Sequence, residues 1–249
     1  MIRALAGLGP VLLALWAAPA AACDTVIFDE APFTTCTIDL AQDDLRLFLR
    51  DADGVIYGSF GRIDQALGPD QRLGVAMNAG MFHEDRAPVG LYVEDGAQEM
   101  RVITSDGPGN FGLLPNGVLC LRDGTAAIIE SRTYAENPPA CRDATQSGPM
   151  LVIDGALHPR FLADGTSRNI RNGVGVDASG RIVHLVISDA PVNFHHFARF
   201  FRDYLAVPNA LYFDGRVSRL YAPGHGRADI GLPIGPIIGT VIDAEASGG

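Results

Sequence analysis

Three apolar runs of this sequence each stop abruptly at a compact polar side chain. Residues 75–77 end at Asn78, residues 182–187 at Ser188 and Asp189, and residues 210–213 at Asp214. Short apolar runs closed in this way are typical of buried strands, and ligands favour the loops at strand ends. If the three ends converge, they form a binding site. Each Asn or Asp taken singly is also explained as the start of a turn that its own side chain caps.

The N-terminus has the three parts of a secretory signal peptide. Arg3, the apolar residues 4–18 and the small residues 20–22 predict a signal peptide over residues 1–22, with cleavage before Cys23. The apolar stretch is shorter than the ~20 residues of a membrane span, and no later segment is apolar for that long. An acylated Cys23 is the less favoured alternative, because Ala20 stands where lipoprotein signals carry a large aliphatic residue. The protein is expected to be periplasmic or secreted, with residues 23–249 as one domain.

The chain is acidic and its cations are all of one kind. The formal net charge is -10 at pH 7 and becomes -11 when Arg3 is removed with the signal peptide. Such a chain repels nucleic acid and anionic membranes, so a polyanionic partner is not expected. All 19 basic residues are arginines, which excludes Schiff-base chemistry by lysine. Arginine is suited to bidentate binding of phosphate or carboxylate.

The four cysteines fall into two couples, Cys23 with Cys36 and Cys120 with Cys141. Three pairings are formally open, and disulfides persist in an oxidising compartment. The two local bridges are favoured because each would close a hairpin or a loop. No cysteine is then left as a nucleophile.

Most of the chain reads as short strands, and one helix stands out. Phe194, Phe197 and Phe201 share one face at helical spacing, which predicts a helix over about residues 191–205. Ser188 or Asp189 could cap it, and Pro191 suits a first turn. The pieces near the start of the mature chain, separated by Pro, Asp and Gly, indicate a meander of strands.

Arg171 and His83 are candidates for ligand contact by position. Arg171 precedes the strand 173–176, and a turn joins that strand to residues 181–187. Antiparallel pairing of the two would place Arg171 on the same rim as Asp189. His83 follows the Asn78 segment in a charged loop, and it is not part of a zinc helix because the second histidine four residues on is missing.

Four short segments of the sequence form a set of motifs. They are Asn-Ala-Gly-Met-Phe at 78–82, Gln-Ser-Gly-Pro-Met-Leu-Val at 146–152, Arg-Asn-Gly-Val-Gly at 171–175 and Asp-Gly at 214–215. In order and spacing they resemble the phosphodiester glycosidase family, whose segments read Asn-Gly-Gly-Phe-Phe, Ser-Gly-Pro, Arg-Thr-Ala-x-Gly and Leu-Asp-Gly-Gly-Gly-Ser. The resemblance covers most of the mature chain. It implies an α+β fold with a mixed, largely antiparallel sheet core and few helices, and hydrolysis of sugar-1-phosphodiesters. Ala79 and Arg216 depart from the family's glycines.

The resemblance and the strand ends together predict a site. Asp214 is the expected catalytic carboxylate, with Asp189 as rival or helper, and Arg171 is expected to bind the phosphate. The expected substrate contacts are Asn78, Gly80, His83, Gln146, Ser147, Gly148, Arg171 and Gly215. The expected substrate is a small sugar phosphate or glycan phosphodiester, and neither a metal nor a cofactor is expected.

Two other function classes stay open. A non-catalytic periplasmic or envelope protein could hold a sugar phosphate in the same cleft. A phosphodiesterase that breaks the P–O bond is less favoured, because phosphoryl transfer generally relies on metal ions to spread charge and no metal-ligand spacing is recognised. The sequence leaves the oligomeric state undetermined.

Overall fold

Three antiparallel sheets dominate the computed structural model, which describes residues 22–244. The predicted signal peptide, except for Ala22, lies outside the described residues. In spatial order the first sheet contains β1 (Ala22–Phe28), β2 (Ala31–Asp39), β13 (Ile182–Ser188), β12 (Asn172–Val176), β14 (Asn209–Asp214), β10 (Met150–Ile153) and β11 (Ala156–Leu157). The second contains β16 (Arg227–Ala228), β15 (Leu220–Ala222), β4 (Gln71–Asn78), β17 (Ile237–Asp243) and β3 (Asp44–Phe48). The third contains β6 (Ala97–Met100), β5 (Tyr92–Glu94), β9 (Asp143–Ser147), β7 (Gly117–Arg122) and β8 (Thr125–Glu130).

The three sheets share one apolar core, and a second core lies on the other face of the first sheet. Met77 of β4, Leu119 of β7 and Leu185 of β13 all belong to the shared core. Val186 and Tyr212 point the other way, into an aromatic cluster under the helix near the C-terminal end of β13. Successive residues of β13 and β14 therefore enter two different cores, which explains why these strands are apolar along most of their length, with half-buried His184 as the exception within β13. The predicted α+β fold with a largely antiparallel sheet core is confirmed.

Three α-helices are found within residues 22–244: α1 (Phe60–Ala66), α2 (Ser131–Glu136) and α3 (Phe194–Arg199). A π-helical turn, Phe200–Tyr204, continues α3. The helix predicted over residues 191–205 is thus present but begins three residues later. The sequence reading did not identify α2, which is only six residues long.

The predicted cap of this helix was wrong. The side chain of Asn193 accepts a hydrogen bond from the His196 amide at 2.8 Å, which makes Asn193 the N-cap. Pro191 precedes the helix instead of occupying its first turn, and neither Ser188 nor Asp189 caps it. The sequence could not identify the cap because several Asn, Ser and Asp residues precede the first apolar residue of the helix, and all of these residue types cap helices well.

We expect Asn193→Ala to lower the free energy of unfolding by about 1 to 2 kcal/mol, since it removes an N-cap. The same side chain also donates to the carbonyl oxygens of Ala163 (3.0 Å) and Gly165 (3.1 Å). Denaturant unfolding checks the result, with Asn137→Ala, at the C-terminal end of α2, as the control. An unchanged midpoint in Asn193→Ala would contradict the capping assignment.

Both predicted disulfides are present, Cys23–Cys36 and Cys120–Cys141. The first joins directly opposite residues of β1 and β2. The second ties β7 to the segment that leads into β9. Among residues 22–244 no cysteine is free. No helix in this described part of the chain is both long and apolar enough to span a bilayer.

Candidate active site at the strand ends

The three strand ends meet around Asn172, the first residue of β12. Asn172 is paired with Ile187 of β13 on one side and with Asp214 of β14 on the other. Its side-chain amide donates to the main-chain oxygen of Asn78 at 2.8 Å, and this contact joins the second sheet to the first. The strand ends singled out in the sequence therefore surround one position. Asn172 itself was not among the predicted site residues.

Asn78 is buried and bonded on both sides. Its side-chain amide donates to Oδ1 of Asn172 at 3.2 Å, and its own Oδ1 accepts from the Arg219 amide at 2.9 Å. The side chain thus connects β4, β12 and the turn that follows Asp214. This arrangement fixes the strand ends relative to one another, and both the nitrogen and the oxygen of the Asn78 side chain are hydrogen-bonded to protein groups.

Asp214 ends β14 with one carboxylate oxygen held by its own turn. Oδ1 accepts hydrogen bonds from the backbone amides of Gly215 (2.5 Å), Arg216 and Val217 (3.1 Å). Oδ2 makes no hydrogen bond with any residue between 22 and 244. The side chain is partly exposed. One oxygen is therefore fixed in place while the other is available to a bound molecule.

Gly215 lies so close to neighbouring side chains that no larger residue would fit at this position. A Cβ built on it would lie 2.4 Å from the Tyr212 hydroxyl and 3.5 Å from Nη1 of Arg171. The backbone after Asp214 thus approaches these two side chains directly. Arg171 and the residue that directly follows Asp214 are therefore neighbours in the fold.

Arg171 is the largest fully buried side chain of the described residues. Its guanidinium donates to the carbonyl oxygens of Val192 (3.0 Å) and Ser167 (2.9 Å) and to the Tyr212 hydroxyl (3.1 Å). It also stacks over the Phe194 ring, with Cζ 3.7 Å from the centroid. Three of its five N–H groups are thereby used.

No carboxylate neutralises this cation. No Asp or Glu within residues 22–244 forms an ion pair with Arg171, and its three hydrogen-bond partners are neutral. Burial lowers the pKa of the Arg171 guanidinium, and the Tyr212 side chain opposes that change. Burial in turn raises the pKa of the Tyr212 phenol. An uncompensated buried charge costs several kcal/mol, so an arginine kept in this position suggests an anionic ligand.

Asp189 lies on the same rim, but its carboxylate is already paired. It accepts from the Thr34 hydroxyl at 2.8 Å and forms an ion pair with Arg227 at 2.5 Å. Two strand spacings separate the backbones of Ile187 and Asp214, on opposite sides of Asn172, and Asp189 lies two residues beyond Ile187. Its carboxylate is held by Thr34 and Arg227, whereas that of Asp214 is held by its own turn.

Gln146 and Ser147 are adjacent residues of β9 with different surroundings. The Gln146 side chain is buried. Its oxygen accepts a hydrogen bond from the backbone N–H of Leu91 at 3.0 Å, and its nitrogen donates to the Ser131 hydroxyl at 2.8 Å. It also exchanges two hydrogen bonds with the backbone of Ile103. The Ser147 hydroxyl donates to the Phe213 carbonyl at 3.3 Å, directly before Asp214. Ser147 therefore adjoins the strand ends, whereas the Gln146 amide is bound within the third sheet and its flanking loops.

The remaining predicted contacts lie on two loops. Gly80 packs against β9, where a Cβ would lie 2.3 Å from the Thr145 hydroxyl. Gly148 follows Ser147, and a Cβ built on it would lie 2.6 Å from the Asn116 side chain. His83 is exposed, and only its backbone groups are bonded, to Ala87 and Arg86. The structure does not bring the His83 imidazole into hydrogen-bonding contact with the other predicted residues.

Sequence reasoning missed three side chains of this site: Asn172, Phe194 and Tyr212. Phe194 and Tyr212 were read only as core residues, since an aromatic side chain at helical or strand spacing has the same signal whether or not it contacts an arginine. The Asn172 signal was available, because it follows Arg171 directly in the motif. Within residues 22–244 no group of three or more His, Cys, Asp or Glu side chains is arranged to hold a metal ion.

Comparison with known proteins identifies a family, a relative in Escherichia coli and several similar solved structures. The family model described as phosphodiester glycosidase matches residues 71–231. The uncharacterized protein YigE of Escherichia coli strain K12 is 31% identical over 218 residues, which is 86% of this chain and 85% of the relative.

The fold is also found in proteins of low sequence identity. The catalytic domain of zebrafish N-acetylglucosamine-1-phosphodiester alpha-N-acetylglucosaminidase, auto-inhibited by its pro-peptide, has a TM-score of 0.61 and 15% identity, covering 88% of this chain and 81% of that chain. A hypothetical protein from Synechocystis has a TM-score of 0.58 and 15% identity over 88% of this chain. The chain spans 61% of the Synechocystis protein's length. At such identity the likeness establishes the fold alone.

Proposed function

The chain belongs to the phosphodiester glycosidase family, and on that premise we propose that it hydrolyses the glycosidic C–O bond of a sugar-1-phosphodiester at the Asp214–Arg171 site. The observation that carries this proposal is the buried guanidinium of Arg171 without a counter-ion. Arg171 adjoins Gly215, the residue that directly follows Asp214, and the Asp214 carboxylate has one oxygen without a hydrogen bond among the described residues. A cation for the phosphate and a carboxylate for the anomeric carbon are the two groups that this reaction requires.

Arg171 binds the phosphate in this proposal. Two of its N–H groups have no partner within residues 22–244, and its other three fix the plane of the guanidinium. A phosphate oxygen pair can accept both, and such charge-assisted contacts are strong in a buried setting. Without this local cation, a chain of formal net charge -10 would repel the substrate.

Asp214 acts on the sugar. Its Oδ2 either activates a water molecule or stabilises the oxocarbenium-like centre that glycosidases form. Ordinary glycosidases need a second carboxyl group because the departing alkoxide is strongly basic. Here the leaving group is a phosphate monoester with a second pKa of about 6, which departs with little protonation. One carboxylate is therefore enough, and Asp189 is left to its ion pair with Arg227.

Asn78, Asn172 and Ser147 serve as positioning residues. Each is buried and bonds a backbone group of a neighbouring strand end or turn. Together they connect all three sheets at Asp214. A carboxylate must be held within a fraction of an ångström for efficient catalysis, and fixed neighbours of this kind achieve that.

Hydrolysis in ¹⁸O-labelled water tests the proposal. Purified protein is incubated with an N-acetylglucosamine-1-phosphodiester, and the products are analysed by mass spectrometry. Cleavage of the C–O bond places the label in the free sugar, whereas cleavage of the P–O bond places it in the phosphate. The proposal requires label in the sugar. Label in the phosphate alone would identify a phosphodiesterase instead.

The non-catalytic alternative gives a different result in the same experiment. A binding protein releases no sugar, yet it is stabilised against heat by the sugar phosphodiester, because a ligand that binds only the folded state raises its melting temperature. Turnover that survives repeated purification and disappears in Asp214→Asn excludes this alternative. Stabilisation without turnover, over a range of sugar diesters, supports it.

We also propose that the protein is exported. Two disulfides among the described residues are consistent with an oxidising compartment. We expect the mature protein to begin at Cys23, with an intact mass that shows residues 1–22 removed and both bridges formed. Mass spectrometry of protein from the bacterial periplasm checks this result. A retained N-terminus, or a diacylglycerol group on Cys23, would contradict it.

A further inference from the structure

Four arginines lie on the two segments that border the proposed catalytic site. Arg168 and Arg171 belong to the segment before β12, and Arg216 and Arg219 to the turn after β14. Asp214 is the single acidic residue of residues 168–171 and 214–219. Four cations against one anion give these segments a formal charge of +3, in a chain whose net charge is -10.

The two segments are in direct contact. The Ser218 hydroxyl donates to the carbonyl of Ile170 at 3.0 Å. A Cβ on Gly215 would lie 3.4 Å from the Cβ of Asn169. The antiparallel pairing of Asn172 with Asp214 continues this contact into the sheet. The two arginine-bearing segments therefore lie side by side at the edge of the proposed site.

Two of the four are committed to the protein. Arg171 is bound as described above, and the guanidinium of Arg219 donates to the Leu232 carbonyl. Burial lowers the pKa of the Arg219 guanidinium, and the charge of Asp229 opposes that change. Arg219 is thus packed beneath the loop at Gly231. It adds positive charge but presents little of itself to a ligand.

Arg216 differs from the two buried arginines. It is exposed, and only its backbone amide, which donates to Asp214, is hydrogen-bonded. Its guanidinium has no hydrogen bond or ion pair with any residue from 22 to 244. Arg216 follows the catalytic carboxylate by two residues and offers an unused planar donor there.

We propose that Arg216 binds a second phosphate, so that the preferred substrate is a sugar linked to a diphosphate diester. This inference rests on the proposed function and names its substrate class. A monophosphate diester carries one negative charge, which Arg171 alone matches. A diphosphate diester carries two, and Arg216 lies one residue beyond the Gly215 backbone that adjoins Arg171.

The reaction on this substrate balances with water alone. The bond between the anomeric carbon and its phosphate oxygen breaks, and the electron pair leaves with the diphosphate. The hydroxyl of water joins the anomeric carbon, and the remaining proton passes to solvent or to the departing diphosphate. Arg171 holds the phosphate that is attached to the sugar, and Arg216 holds the distal one.

Substrate pairs test the inference. N-acetylglucosamine 1-(methyl phosphate) is compared with the matching methyl diphosphate diester and with the uridine diphosphate sugar. Wild type should show a kcat/KM about tenfold higher on both diphosphates, since one charge-assisted contact is worth about that factor. Arg216→Gln should lose about tenfold on the diphosphates and less than threefold on the monophosphate. Arg101→Gln, an exposed arginine bonded only to the Val102 carbonyl, is the matched control.

Calorimetry separates this inference from the proposed function. Inorganic pyrophosphate and phosphate are titrated into each protein in the presence of a chelator. Wild type and Arg101→Gln should bind pyrophosphate about tenfold more tightly than phosphate, and Arg216→Gln should lose this preference. If no diester releases sugar but this pattern holds, the proposed function fails and the second phosphate site stands. If sugar is released and Arg216→Gln affects all substrates or both anions equally, the second phosphate site is refuted.

Discussion

Asp214→Asn is expected to reduce the release of free sugar by about 10²- to 10⁴-fold, the range associated with the loss of a positioned acid or base. The asparagine keeps an oxygen that can accept from the Gly215, Arg216 and Val217 amides. The turn should therefore persist, at a cost of about 1 kcal/mol for replacing charge-assisted hydrogen bonds by neutral ones. Sugar release and thermal melting, measured on the same preparation, check both parts.

Asp189→Asn is the matched control for that variant. It removes a carboxylate of the same rim, but one that is paired with Arg227 and hydrogen-bonded to Thr34. Its main effect should be on stability, at about 1 kcal/mol for a partly exposed ion pair, with turnover changed only a few-fold. Full activity in Asp214→Asn, or a larger loss in Asp189→Asn, would overturn the assignment of the catalytic carboxylate.

Arg171→Lys is expected to lower kcat/KM by about 10²- to 10³-fold even though it keeps the charge. The guanidinium reaches Val192, Ser167 and Tyr212 from one plane and still has two N–H groups to offer. An ammonium group has a single nitrogen and cannot reproduce this geometry. Two lost charge-assisted hydrogen bonds, at about 1.5 to 3 kcal/mol each, account for at least this factor. Steady-state kinetics measures it.

A second measurement distinguishes phosphate binding by Arg171 from a purely structural role. Millimolar inorganic phosphate should raise the melting temperature of wild type, because it supplies the missing anion. The shift should vanish in Arg171→Lys and persist in Arg101→Lys. If phosphate stabilises Arg171→Lys as much as wild type, Arg171 serves only to hold the Ser167 and Val192 segments together.

The sequence could predict the strand ends because their signal is local. Most residues of β13 and β14 are buried on both faces, so the runs are apolar apart from His184 in β13, and the polar residues after them stand out. The same reasoning could not tell which polar residue serves which purpose. Asp189 and Asp214 have similar surroundings in the sequence, and only the tertiary fold brings Arg227 to one and the backbone of its own turn to the other.

Contacts between residues far apart in the sequence explain the other differences between the predicted and the observed surroundings of these side chains. Gln146 lies in the segment that resembles the family, yet its amide is bound by Leu91, Ile103 and Ser131, at separations of 55, 43 and 15 residues. Likewise, nothing local indicates that Tyr212 and Phe194 would enclose Arg171. Periodicity reports that these side chains are buried, but it does not report what they contact.

The order of strands in the second sheet also determines when the site can form. β17, the last strand of the described residues, lies between β3 and β4, and its Ile237 pairs with Phe48, 189 residues earlier, and with Asn78, 159 residues earlier. Until β17 arrives, the edge of β4 that it covers is unpaired, and Asn78 at the end of that strand has no completed sheet to hold it. Pairings across such separations form slowly, because loop closure must precede any gain from contact. The pairing that holds Asn78 is therefore expected to be complete only when β17 has been added, and the exposed edge of β4 makes the preceding interval the one in which the chain is most prone to aggregate.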